Sequence, residues 1–168
     1  MLEFLKRLRT YRGVRVITCP ENRNAAAVRV ALWDSRPDLH LRSCTRWPEK
    51  AGCGQECLAQ IEASPRECLV QSIVASWYAG RSCTFCAKPI GEIVWHERPP
   101  AVRFADGTTR EWKEIAAEEL PAVFASAQPV CFVCHIVESF RHDHPEMVIE
   151  RKRIAEARST LRPSTTVY

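Results

Sequence analysis

The sequence has 168 residues, a formal net charge of +4 and a hydrophobic fraction of 46%. These values are typical of one or two small globular domains and exclude a disordered chain or a fibre. The mild charge permits a nucleic-acid partner without indicating one. No stretch approaches the roughly 20 apolar residues of a membrane span. The first residues lack a signal peptide, so we expect a cytoplasmic protein.

The first half of the chain is predicted to combine short strands with helices. Residues 1–12 are basic and amphipathic. They suit a terminal helix laid on the domain, or a peripheral contact with an anionic membrane or a partner protein. Alternation of apolar and polar residues predicts three strands, at 14–18, 27–32 and 39–43. Helices are predicted at 55–63 and 65–78, the second started by Pro65 and ended by Gly80.

The second half is predicted to hold a hairpin between two groups of helices and turns. Asp106-Gly107 is a strong hairpin signal. The predicted elements are a tight turn at 83–91, strands at 92–96, 101–104 and 108–112, a helix at 113–127 mildly broken by Pro121, a helix at 136–141 and a charged helical tail from residue 146. Short strands with several helices predict an α+β fold.

Nine cysteines are the unusual feature of the composition. In a reducing compartment paired cysteines are more often metal ligands than disulfides, and an odd count also disfavours a closed set of bridges. Two CxxC motifs stand out, Cys83/Cys86 and Cys131/Cys134. Two residues between paired cysteines let both sulfurs turn inward, so each motif supplies half of a tetrahedral site. We therefore predict a structural metal ion, best assigned as zinc, at these four residues.

The order of elements around these motifs resembles that of treble-clef zinc domains: a cysteine turn, a hairpin, then a second CxxC at a helix N-terminus. A helix N-terminus favours thiolate over thiol. A zinc-ribbon-like arrangement would use the same ligands. His135 completes a CxxCH haem-attachment motif, but haem attachment needs export and would leave Cys83 and Cys86 idle. We expect His135 to point away from the metal. His142 and His144 suit either a second metal or a solvated helix end.

A second cysteine group in the first half has less regular spacing. It consists of Cys19, Cys44, Cys53 and Cys57. These four could bind a second zinc ion or, alternatively, an iron–sulfur cluster, whose ligand spacings vary more. Cys68 falls on the apolar face of its predicted helix and is interpreted as a small core residue.

The loop from Cys44 to Cys57, taken with the later CxxC motifs, resembles a family of small cysteine-rich bacterial proteins that is itself uncharacterised. The resemblance covers approximately residues 14–150. It implies metal binding and no particular activity.

Three functions follow from these features. The preferred one is a non-enzymatic zinc module that binds another protein or acts as an accessory subunit of a larger complex, because a four-thiolate site leaves no open position for substrate. The first alternative is an iron–sulfur or rubredoxin-like electron-transfer subunit. The second is nucleic-acid binding, through a basic tail that includes Arg151, Lys152, Arg153, Arg158 and Arg162. The predicted organisation is an N-terminal half (1–80), a treble-clef-like metal module (81–150) and a basic tail (151–168).

Overall fold

The structure, a computed structural model, describes residues 9–33, 36–50 and 52–148. Most of the predicted N-terminal amphipathic helix and nearly all of the charged tail, with its basic side chains, lie outside these residues. Within them the fold is α+β, as predicted, and contains two small antiparallel sheets. Among the described residues, no helix combines the length and apolar character that a membrane crossing requires.

The first sheet contains β1 (Val14–Thr18), β2 (Ala25–Trp33) and β3 (Arg36–Cys44), in the order β1-β2-β3. Its strands confirm the three predicted from alternation, although β2 and β3 are longer than expected. The centre of β1 is buried, and Val16 pairs with Ala27 of β2. A register shift between Arg29 and Val30 interrupts the pairing of β2 with β3. Consecutive residues of β1 are buried, Val16 in one hydrophobic cluster and Ile17 in another, so both faces of the sheet are covered at its centre.

Two helices follow the first sheet, α1 (Leu58–Ala63) and α2 (Val70–Tyr78). Both begin later than predicted. Residues 65–68 form a separate turn, and the Val16 amide of β1 donates to the Cys68 carbonyl at 2.8 Å. Leu69 then forms a bridge with Arg15 of β1 and has extended backbone angles. Pro65 therefore does not start the helix, because pairing with β1 interrupts it before Val70.

The second sheet contains β4 (Ala101–Arg103), β5 (Thr109–Glu111) and β6 (Gln128–Val130), in the order β5-β4-β6. The predicted hairpin is confirmed. Gly107 has a φ of +88°, and the Thr108 amide donates to the Asp106 carboxylate at 2.9 Å. Strand β6 was not predicted. It is only three residues long and holds Pro129, which sequence rules exclude from the centre of a strand.

Two predictions for the second half are wrong. Residues 92–96 form no strand; a single bridge joins Val94 to Arg98. The helix expected over 113–127 is three pieces: 3₁₀ turns at Trp112–Glu114 and Ala117–Glu119, then helix α3 (Leu120–Ser126). Pro121 lies in the first turn of α3, where its missing amide costs nothing. Helix α4 (Phe132–Asp143) is longer than predicted and begins directly after Cys131.

The main hydrophobic core lies between α2, α3 and the two sheets. Its buried members come from both predicted halves and are Val16, Val70, Val74, Tyr78, Val102, Ile115, Leu120 and Phe124. Trp77 stacks on Phe124 with ring centroids 4.5 Å apart. The buried Tyr78 hydroxyl donates to the Ala101 carbonyl at 2.6 Å. These contacts fix α2 against β4, the strand beside the second cysteine group. The boundary proposed at residue 80 remains a prediction.

Candidate metal centre

The first CxxC motif lies in a tight turn, residues 83–88, which we call the knuckle turn. The Cys83 amide donates to the Lys88 carbonyl, and the Ala87 amide donates back to the Cys83 carbonyl, both at 2.9 Å. Ala87 has a left-handed φ of +57°. A further bond, from the Thr84 amide to the Pro129 carbonyl at 2.9 Å, fastens the turn to β6. The turn therefore presents both sulfurs beside the residues that enter the second motif.

The second CxxC motif occupies the start of α4. Cys131 is the N-cap residue, with extended φ and ψ of −74° and 156°. Cys134 lies within the first helical turn. Because β6 ends at Val130, which is fully buried and pairs with Ala101, the position of Cys131 is set by the sheet.

The four sulfurs of Cys83, Cys86, Cys131 and Cys134 all lie within 4.8 Å of one another. The Cys86 and Cys131 sulfurs, which belong to different motifs, are 3.9 Å apart. Zinc–sulfur bonds of about 2.3 Å in a tetrahedron place neighbouring sulfurs about 3.8 Å apart. One pair of sulfurs thus stands near that spacing and all four lie close together, so the four predicted ligands could hold a metal.

Burial and hydrogen bonding shift the pKa values of three of these thiols in different directions. Burial alone would raise the pKa of Cys83, but backbone amides of its own turn and of Cys131 donate hydrogen bonds to the sulfur and lower that pKa to about 6. Burial raises the pKa of Cys131 and of Cys134. The backbone around Cys83 therefore favours its thiolate form, which is the form that binds metal.

His135 is directed away from this site, as expected. It is 8% exposed, and its Nδ1 atom lies 2.9 Å from the Thr109 hydroxyl and 3.4 Å from that of Ser139. It therefore ties α4 to β5. His142 and His144 are exposed and lie beside carboxylates. Within the described part of the chain they join no group of closely spaced metal-ligating atoms.

The first-half cysteines also approach one another, though less closely. Cys19, Cys44 and Cys57 belong to one hydrophobic cluster, and Cys53 lines an open cleft together with Cys19 and Cys57. Among the described residues this set does not reach the spacing of the second-half thiols. All nine cysteines lie in the described residues, and each is a free thiol.

Cys68 is half-buried and packs against the same cluster, in agreement with its interpretation as a core residue. Its neighbour Arg15 is fully buried. The Arg15 guanidinium donates to the carbonyls of Thr10 and Tyr11 at 2.5 and 2.7 Å. Burial lowers the pKa of Arg15, and interaction with Cys68 partly offsets that change. Nothing in the local pattern distinguishes Arg15 from the exposed arginines of a strand.

Sequence reasoning also missed an exposed apolar surface on α4. It comprises Val133, Ile136, Val137 and Phe140, which are 66%, 51%, 42% and 49% exposed, and we call it the α4 face. The spacing of these residues places them on one side of a helix. The signal was present in the sequence, but nothing there shows that the opposite side, with His135, is the one that packs inward.

Comparison with protein-family profiles, curated proteins and solved structures gives no match. The resemblance to a small cysteine-rich family therefore stays a prediction.

Proposed function

We propose that this protein is a non-enzymatic zinc-binding module of the treble-clef type that acts by binding another protein. The observation that carries the proposal is the gathering of four cysteine sulfurs within 4.8 Å of one another, from a knuckle turn and a helix start. Four thiolates fill the coordination shell of zinc, so the ion would have a structural role and no open position for a substrate.

The donor set supports zinc on chemical grounds. Thiolates are soft ligands that select zinc, copper(I) or iron over magnesium and calcium. Backbone amides already stabilise negative charge on Cys83, as a site built for thiolates requires. The knuckle turn, the hairpin of β4 and β5, and the ligands at the start of α4 follow the treble-clef order. Zinc held there would fasten the knuckle turn to α4, two segments that otherwise meet mainly through β6.

The α4 face supports a protein partner. Apolar side chains repeating along one side of a helix are the usual means by which a helix docks into a groove of another protein. The face begins next to Cys134. Two further exposed apolar residues, Met147 and Val148, follow the C-terminal end of α4 in the chain. We propose that its occupant is an apolar segment of a different protein. Because the metal would fix the first turn of α4, binding of metal and partner would be coupled.

Two measurements test this proposal. Metal analysis of the full chain, with an absorption spectrum, should give colourless protein containing zinc, whereas a red or brown protein would favour the iron-based electron-transfer alternative. For the partner, a photo-crosslinking residue replaces Ile136, and a control carries it at the exposed Glu119 position.

We expect a discrete adduct from position 136, suppressed both by chelator and by a Val133→Asp change that leaves metal content intact. Equal adducts from both positions would refute the α4 face as the binding surface. An adduct between two copies of this chain would show that the face serves self-association instead.

A further inference from the structure

Residues 19–24 repeat the knuckle turn in the first half of the chain. The Cys19 amide donates to the Asn24 carbonyl and the Arg23 amide donates back to the Cys19 carbonyl, both at 2.8 Å. The corresponding two bonds of the knuckle turn are both 2.9 Å long. Arg23 has a left-handed φ of +59°, against +57° at its counterpart. A non-glycine residue with positive φ is uncommon, so this agreement in three features identifies the same turn.

The elements after the two turns also correspond. In each half an antiparallel pair of strands follows the turn, and a cysteine then immediately precedes a helix: Cys131 before α4, and Cys57 before α1. Two ligand positions differ. Asn22 stands where the knuckle turn has Cys86, and its side chain accepts the Asn24 amide at 3.1 Å. Gln60 stands where α4 has Cys134, and its side chain bonds the Thr18 backbone. Cys44 at the end of β3 and Cys53 in the loop before α1 would supply the two thiols that these positions lack.

We infer that Cys19, Cys44, Cys53 and Cys57 form a second thiolate centre for a thiophilic metal, either zinc or iron, built on a structural repeat of the first centre. Three of these residues share one hydrophobic cluster, and Cys53 reaches the cleft that Cys19 and Cys57 line.

Arg46 contacts the sulfur of Cys19. Its guanidinium donates to that sulfur at 2.9 Å and also pairs with Glu21 at 3.3 Å, which Lys50 contacts as well. Since the four sulfurs stand farther apart than those of the first centre, a single ion would draw them inward. A [4Fe–4S] cluster would instead span the wider spacing, because each of the four thiolates then binds a different iron atom.

The test is metal and sulfide analysis of the full chain, purified without oxygen, for the wild type and four variants. Cys19→Ser and Cys53→Ser address the second centre, Cys86→Ser addresses the first, and Cys68→Ser is the control because Cys68 lies in the same cluster without being a ligand. We expect the wild type and Cys68→Ser to hold both centres. Cys19→Ser and Cys53→Ser should lose only the second, and Cys86→Ser only the first.

These variants distinguish a failure of the second centre from a failure of the first centre, on which the proposed function rests. A single metal equivalent, lost from Cys86→Ser and kept by Cys19→Ser and Cys53→Ser, would overturn the second centre and leave the first intact. Zinc or iron with sulfide in the second centre would both support it and would identify the metal. If Cys19→Ser does not fold, alkylation of the Cys53 thiol in the wild type provides a second test. Protection of this thiol that is abolished by chelator would support the second centre, and alkylation that chelator does not change would overturn it.

Discussion

Replacing Cys83 by serine is the sharpest perturbation of the first centre. Cys83 is 2% exposed and packs with Ala101 and Val130, which are both fully buried. The oxygen of serine is a harder and poorer zinc ligand than a thiolate. The variant therefore loses one of four ligands at the most enclosed position, while the surrounding sheet leaves little room for another group to replace it.

The expected loss of stability follows from linkage between binding and folding. A ligand present at a thousandfold excess over its Kd stabilises the native state by about 4.1 kcal/mol. If m for urea is about 2 kcal/mol/M, removal of that contribution lowers the unfolding midpoint by about 2 M. The loss is a large part of the total stability of a small domain, about 5–15 kcal/mol. We therefore expect Cys83→Ser to release metal and to unfold at a urea concentration about 2 M lower, while remaining folded without urea.

The assay is urea unfolding of the wild type and Cys83→Ser, each with zinc and with chelator. The urea midpoints of the two proteins should differ by about 2 M when zinc is present. The difference should be much smaller in chelator, because it originates in the bound metal. Cys68→Ser serves as the control and should follow the wild type under both conditions. A Cys83→Ser protein that keeps full metal stoichiometry and the wild-type midpoint in zinc would refute the ligand assignment.

Three further predictions concern packing and the metal. Tyr78→Phe should destabilise the protein by about 1–3 kcal/mol, because the Ala101 carbonyl loses its buried donor; an unchanged midpoint would contradict this. Gly13→Ala should cost about 1–3 kcal/mol, since Gly13 has a φ of +107° and a Cβ there would lie 2.9 Å from the Leu69 side chain. Gly91→Ala, with open space around it, is the control and should be nearly neutral. Cys83→Ser, which removes only the first centre, should lower hydrogen-exchange protection in the knuckle turn and α4 more than in β1 and β2.

Much of the fold could be predicted because its signals are local. The apolar pattern located the strands β1 to β3, although the centre of that sheet is covered on both faces. Asp106-Gly107 specified the hairpin through its own backbone preferences. The grouping of Cys83, Cys86, Cys131 and Cys134 followed from spacing alone, since two CxxC motifs each bring a pair of sulfurs to one side.

The features that were predicted wrongly or missed depend on contacts between segments that are distant in the sequence. The first turn of the predicted helix at 65–78 was lost to a hydrogen bond with β1, and β6 exists only because β4 offers it an edge. The turn at Cys19 could not be recognised from sequence, because Asn22 replaces the second cysteine and Arg23 takes a left-handed φ. Only the backbone hydrogen bonds reveal that this segment repeats the knuckle turn.

The most direct test of the central claim is the metal content of the full chain after anaerobic purification, measured by elemental analysis beside Cys83→Ser and Cys131→Ser. We predict at least one zinc ion per chain in the wild type and its loss from both variants. A wild-type protein that contains no thiol-bound metal while its cysteines are reduced, or variants that keep the full metal content, would contradict the account.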